Sequence, residues 1–311
     1  MNAFLSQFQF NGSLAYHLGA EEEFWTVDDQ GKLCPASVRV FPDPEKAEIR
    51  LSDGCVIKPE LPIQQLEAVT GPCSTVRELE LQIKNNRDML ENLGRRFEFS
   101  ISTSPRPPID FDVEVYPKER YLAIKREVPE KALRGGWIAG LHVHVGCKDF
   151  DQAIRIMNGL RSDLPRFLAC SARGKSSQRM VSYMEMQSSL VPPHIEGVEH
   201  FAQIAEEQGF RDDPKRCWWA VRINPVGTVE VRIFDMQKTP RQAAQLAALV
   251  KIRAVLADMQ PSKSDLSVEQ IRRQIFYAAY YADSLGHKDW IRDTLQDHSL
   301  VSELLASCGR E

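Results

Sequence analysis

Apolar and polar positions alternate along the chain with two different periods, and the switch between them marks the elements. Residues 14–29, LAYHLGAEEEFWTVDD, read as a strand ending in a turn at Asp28, Asp29, Gln30 and Gly31. VIKPELPIQQLEAVT (56–70) is extended, because its two prolines exclude a helix. Residues 74–99 place Val76, Leu79, Ile83, Leu90, Leu93 and Phe97 on one helical stripe, and Thr75 with Glu78 forms a capping-box pattern at its start. GWIAGLHVHVG (136–146) alternates as a strand, and residues 149–172 are helical with an interruption near Pro165. RCWWAVRINPVGTVEVRIFD (216–235) makes two strands joined at Asn224 to Gly227. A helix then opens with Thr239 as N-cap, Pro240 at its first position and Gln242 at its third. Two more helices start near Ser267 and His287, and the proline-rich segment 104–112 reads as a loop.

Strands separated by long helices could form βαβ units. No glycine-rich phosphate loop follows any strand, so the Rossmann and P-loop readings fail at their own signature. The class expected is α+β, a sheet covered by helices on one side. Repeats and linkers are absent, so residues 1–311 are expected to form a single domain with a helical C-terminal part from about 240. With 43% apolar and 26% charged residues, the chain has an ordinary globular composition with ample core. No apolar run is long enough to cross a bilayer, and the N-terminus lacks the pattern of a signal peptide. Seven cysteines without CxxC spacing fit reduced thiols and a cytoplasmic location. A net charge of −4 with dispersed Lys and Arg gives no footing for nucleic acid or a membrane surface.

Four clusters carry candidate chemistry. In Glu21-Glu22-Glu23 the alternation of a strand puts Glu21 and Glu23 on one face and Glu22 on the other. Like carboxylates side by side repel unless a cation lies between them, although for the triplet taken alone a solvated edge with a charge run is the commoner reading. Glu60 and Glu67 need not share a face of a regular element. His142 and His144 share a strand face, and Gly140 and Gly146 bracket them, as where backbone or ligand comes close. Metal or phosphate contact and simple packing both remain open for this pair. Glu230 and Arg232 point one way while Val229, Val231 and Ile233 point to the core; an intrastrand ion pair competes with a metal-binding carboxylate beside an anion-binding guanidinium. Together the carboxylates and imidazoles suit hard divalent cations such as Mg²⁺ or Mn²⁺, and the arginine suits a phosphoryl group.

The ordered blocks GAEEEFWTVD, KPELPIQQLEAVT, GLHVHVG and WWAVRINPVGTVEVRIFD resemble the glutamate–cysteine ligase-like carboxylate–amine ligases, the type 2 bacterial family of the glutamine synthetase superfamily. The resemblance runs from about residue 14 to about 255. It implies a curved, mainly antiparallel sheet forming an active-site funnel, with helices on its outer face. It also implies ATP and two or more Mg²⁺ or Mn²⁺ ions, a glutamate-like carboxylate phosphorylated by ATP, and attack by an amine to give an amide. Glu21 and Glu23 match a pair serving different metals, Glu60 and Glu67 complete the site of Glu23, and His142 joins Glu21 and Glu230. By the same resemblance His144 lies nearer the nucleotide phosphates, Arg232 neutralises the transferring phosphoryl group, and Arg222 is a second anion contact.

The stretch RGKSSQRMVSYMEMQ departs from the family pattern, so residues 171–216 leave the amine acceptor undefined. Arg161, Arg173 and Arg179 are candidates there for holding a substrate carboxylate. Competing readings are a zinc hydrolase using His142 and His144, a phosphotransferase of the same superfamily, and a non-enzymatic relative. The apolar helices after 240 cover the sheet or make a homodimer contact. Glu230→Gln is expected to remove turnover and leave the fold intact.

Overall fold

In the computed structural model, the alternation of Leu18–Val27 (β1) divides the molecule into two sides. Leu18, Ala20, Glu22 and Phe24 face a layer of helices, and Gly19, Glu21 and Glu23 face a cavity. Around β1 assemble Ile49–Arg50 (β2), Val56–Pro59 (β3), Gln65–Val69 (β4), Ser100–Ser102 (β5), Gly140–Gly146 (β6), Val221–Asn224 (β7) and Thr228–Asp235 (β8). The order is β2-β3-β4-β1-β6-β8-β7, with β5 pairing the far end of β1. Every pairing is antiparallel, so the α+β expectation of an open antiparallel sheet with helices on one face holds. The structure describes residues 3–107, 114–130, 133, 136–174, 176–186, 189–260, 266–282 and 287–296. Most of the loop expected at 104–112, and the last part of the helical region expected to reach 311, lie outside them.

The helices are Ala36–Val40 (α1), Val76–Phe97 (α2), Glu119–Glu127 (α3), Phe150–Arg161 (α4), Leu164–Ser171 (α5), Gln178–Met186 (α6), Val198–Glu207 (α7), Pro240–Met259 (α8), Val268–Tyr280 (α9) and His287–Gln296 (α10). Of these α2, α4, α5 and α8 pack on the sheet. The middle glutamate of the triplet ties α2 to β1: Arg87 donates to Glu22 through Nε (3.0 Å) and Nη2 (2.5 Å), both groups buried. The same guanidinium donates to the carbonyls of Gln237 and Lys238 and lies over Phe24. α8 begins with the full capping box of Thr239 and Gln242. It passes α4 so closely that a Cβ on Gly159 would lie 2.2 Å from Ala257 Cβ.

Several boundaries differ from expectation. Residues 14–17 are not strand: Tyr16 takes a left-handed φ of 60°, its N–H donates to Gly146 O (2.8 Å), and β1 starts at Leu18. α2 stops at Phe97, because Glu98 turns left-handed and the chain folds back at Gly94 into β5. The capping box at Thr75 is half made. Thr75 Oγ1 accepts from Glu78 N–H, but the Glu78 carboxylate takes the Ser74 N–H and hydroxyl. Pro165 sits in the first turn of a new helix, α5, so the expected interruption is a true break. Between β7 and β8, Gly227 supplies the φ of +78° that closes the three-residue turn.

Candidate active site

The register of the sheet turns scattered sequence motifs into one row on the cavity face. Lys58 pairs with Glu67, and Glu67 with Glu23. Glu21 pairs with His142, Gly19 with His144, and His144 with Glu230, which in turn faces Arg222. Between Leu141 and Val143 the β6–β8 pairing slips, so that Arg232 and Ile233 together oppose His142. The bulge lets both Ile233 and Phe234 stay buried while Arg232 still lines the cavity. That cavity is about 700 Å³. Tyr121 and Ile124 of α3 and Arg179 and Tyr183 of α6 also line it.

Glu230 is the anchor of the site. It is fully buried, and it accepts from Arg222 Nε (2.7 Å), Asn224 Nδ2 (2.5 Å) and Arg232 Nη1. Burial alone would raise its carboxyl, but Arg222 and Arg232 outweigh that and hold it far below the usual range. Arg222 spends its Nη1 on the carbonyls of Lys215 and Cys217, so it serves first to fix Glu230. His142 Nδ1 lies 3.1 Å from Glu21 Oε2, and Arg179 Nη2 lies 3.4 Å from His142 Nε2. Both contacts are hydrogen bonds when Nδ1 carries the proton, and that assigns the tautomer. Burial, with the charge of Arg232, pushes His142 down to about 3 against the pull of Glu21, so its imidazole is neutral near pH 7.

His144 goes the other way. Burial opposes its charge, but the carboxylates of Glu21 and Glu230 win and raise it. Its Nδ1 meets Thr228 Oγ1 at 2.8 Å, and its Nε2 lies 3.3 Å from Glu21 Oε1. The two imidazoles and the Lys58 charge overcome the burial of Glu21 and keep it ionised. Glu23 accepts the Gly140 N–H at 2.7 Å, yet burial, reinforced by Glu60, lifts its carboxyl to about 7 against Arg179. Lys58 Nζ contacts Glu67 at 2.7 Å, and that carboxylate holds the ammonium protonated.

Among the described residues, two groups of donors converge within 4.8 Å: Glu21 with Glu67 and His142, and Glu21 with His144 and Glu230. The first offers two carboxylates and a neutral imidazole, which fits a hard divalent cation. In the second, a cation would share Glu230 with two guanidiniums. The sets implied by the resemblance are also neighbours here: His142 Nδ1 lies 3.1 Å from Glu21 and 3.7 Å from Glu230, and Glu23 is the cross-strand partner of Glu67. Glu60 lines the cavity near Glu23 and Glu67 but belongs to neither group.

Of the three arginines suggested for a substrate carboxylate, only Arg179 is in the cavity. Arg161 donates to the carbonyls of Pro192 and Leu266, and Arg173 to Thr103, both away from it. Lys58, Asn224, Thr228 and Tyr183 are site residues that the sequence reading missed. Lys58 and Thr228 lie at an even spacing from Glu60 and Glu230, and that alternation was the available signal. The bracketing glycines make room for the protein itself: a Cβ on Gly140 would lie 2.1 Å from Arg179 Nε, and one on Gly146 2.0 Å from Leu14 O.

A sequence model of the glutamate–cysteine ligase family 2 matches residues 17–282. Provisionally named glutamate–cysteine ligase 2 proteins of Roseiflexus sp. (strain RS-1) and Chloroflexus aurantiacus (strain ATCC 29366 / DSM 635 / J-10-fl) are 30% and 28% identical to this chain. The matches cover 77% and 78% of this chain and 66% and 64% of those relatives, so the chain spans a little under two thirds of their length. A bifunctional glutathione synthetase from Pasteurella multocida is similar in structure over 96% of this chain and 45% of its own, with TM-score 0.62 and 15% identity. A glutamate–cysteine ligase from Francisella tularensis, solved in complex with AMP, is similar over 89% of this chain and 73% of its own, with TM-score 0.56 and 14% identity. These two likenesses establish the fold.

Proposed function

Because the chain belongs to the glutamate–cysteine ligase family 2, we propose that it is an ATP-dependent carboxylate–amine ligase. One observation carries this reading beyond membership: Glu67, Glu23, Glu21, His142 and His144 form a continuous row lining the cavity, with Arg232 beside it and the buried Glu230 behind. Carboxylates alone would repel a triphosphate. A row that can hold divalent cations, flanked by guanidiniums, attracts one.

In the proposed reaction the carboxylate of an amino acid, glutamate or a relative, attacks the γ-phosphorus of ATP, and ADP leaves. An amine then attacks the acyl carbon of the acyl phosphate; the C–N bond forms, phosphate departs, and the amine sheds a proton. Glu21, Glu67 and His142, with Glu23 and Glu60 close by, would hold divalent cations. When bound, these ions offset the charge of the approaching triphosphate. Arg232, fixed by Glu230, adds a positive charge that needs no reorganisation during transfer. His144, oriented by Thr228, faces the same space with a protonatable Nε2.

A phosphate-release screen with Mg²⁺ and ATP across amino acids and amines, followed by mass spectrometry of the product, tests the proposal. Release that depends on an acid, with an amide as product, is the expected result. Zn²⁺-dependent hydrolysis without nucleotide, or transfer of the phosphoryl group to a stable product, would replace it.

A further inference from the structure

α9 is amphipathic, but its outer face is not polar throughout. Ile271, Ile275, Ala278 and Ala279 are buried on the side that packs on α5 and α6. Opposite them run Glu269, Arg273, Phe276, Tyr277 and Tyr280, all exposed. Phe276 is 55%, Tyr277 48% and Tyr280 41% exposed. The rings of Phe276 and Tyr280, one turn apart, lie 4.8 Å from each other, which covers only part of either. Three such side chains of roughly 200 Å² each leave about 300 Å² of aromatic surface in water. A standard interface takes about 800 Å² from each partner, a little over half of it apolar. The three rings, with the alkyl stems of Arg272 and Arg273 beside them, supply most of that apolar share. Phe, Tyr and Arg are also residues that interface cores favour.

The face is divided along its length. Its N-terminal half carries Glu269, Arg272 and Arg273, and its C-terminal half carries the rings. Arg273 donates through Nε to Glu269 (2.8 Å), and its guanidinium stays exposed. Two copies of α9 laid antiparallel about a twofold axis between Phe276 and Tyr277 set Arg273 of each copy opposite the partner subunit's Tyr280. A guanidinium over a tyrosine ring is attractive. A parallel pair would instead set arginine against arginine. The face therefore complements itself, and in one orientation.

We propose that the outer face of α9, from Glu269 to Tyr280, is the contact between two copies of this chain, paired antiparallel about a twofold axis near Phe276. The proposal stands apart from the ligase reading. It places the contact one helix away from the cavity: the Ser177 N–H, just before α6, donates to the Ala279 carbonyl of α9 (2.8 Å), and α6 carries Arg179 and Tyr183 to the cavity wall.

The test is sedimentation velocity of the full chain between about 1 and about 100 μM, the range in which a dimer of moderate affinity dissociates. The variants are Phe276→Ser combined with Tyr280→Ser, Arg273→Glu and, as control, Leu81→Ser, which removes an equally exposed apolar side chain from α2. The wild type is expected to sediment as a dimer at the upper concentrations, with a melting temperature that rises with concentration. The double serine variant is expected to raise the dissociation constant on the order of 10-fold or more. Arg273→Glu, which sets a carboxylate against the partner subunit's Tyr280, is expected to do the same, and Leu81→Ser to behave as the wild type. Should the double variant not fold, Arg273→Glu is held to the same standard. A wild type that stays monomeric throughout would leave the face to another segment or another protein, and overturns the proposal. A dimer as tight in the serine variant as in the wild type places the contact elsewhere and overturns it too. A dimer weakened by the serines but indifferent to Arg273→Glu contradicts the antiparallel pairing.

Discussion

Glu230 holds two guanidiniums and an amide in place from a fully buried position. The sequence suggested that Glu230→Gln would abolish turnover and spare the fold; the geometry argues otherwise. Glutamine would leave Arg222 and Arg232 buried without their counter-charge, a loss of roughly 3–5 kcal/mol by analogy with broken buried pairs. Chemical denaturation of the variant should therefore show a clearly lower midpoint, and an unchanged midpoint would refute the anchoring role. Glu23 gives a second residue-level prediction. Its carboxyl sits at about 7 in the folded chain against an ordinary 4.5, so folding takes up a proton between those values. Stability of the metal-free chain should fall as pH rises through that window, since the native state binds more protons there than the unfolded one. A divalent cation bound nearby displaces that proton. The rise in melting temperature caused by Mg²⁺ should then be larger at about pH 8 than at about pH 6, and an equal rise at both would count against it. The two-residue period of a strand already told which of these side chains share a face. It could not tell that Glu22 meets Arg87 or that Lys58 meets Glu67, because those contacts depend on how distant segments pair.

At the scale of elements, the long strands and amphipathic helices were legible because their periods persist over many residues. β2 and β5 were not, since two or three residues carry no period. The bulge opposite His142 had one trace in the sequence, the adjacent apolar pair Ile233 and Phe234 that breaks the alternation of β8, but its place depends on the β6–β8 pairing. α6 and α7 are short and lie between the matched sequence blocks; the apolar stripe of α7, Phe201, Ala202, Ile204 and Ala205, was a signal that went unread, and with α6 went the placement of Arg179. Gly140→Ala probes this level. Its Cβ would meet a guanidinium that is held at both outer nitrogens, so overpacking of about 1–3 kcal/mol is expected in chemical denaturation. A variant with wild-type stability would show that Arg179 moves freely. Thr239→Ala, by contrast, removes an exposed cap at the start of α8. It should lower stability by about 0.5–2 kcal/mol and leave ATP binding untouched, as thermal unfolding and calorimetric titration would establish.

Across the molecule, one hydrophobic cluster runs from Phe4 through the sheet to Ala279 of α9. That continuity supports the proposal of a single domain, for which calorimetry should record one unfolding transition; two well-separated transitions would divide it. No helix among the described residues is long and apolar enough to cross a membrane. One side of the sheet is covered by helices, and the other carries the carboxylates, imidazoles and guanidiniums of the cavity. The central claim is that this face holds divalent cations against a triphosphate. Calorimetric titration of ATP into the full chain, with and without Mg²⁺, for the wild type and Glu21→Gln, tests it most directly. The account predicts binding that requires Mg²⁺ and is weakened on the order of 10-fold or more in the variant, whose residue belongs to both donor groups. Binding that is indifferent to Mg²⁺, or equally tight in Glu21→Gln, would contradict it.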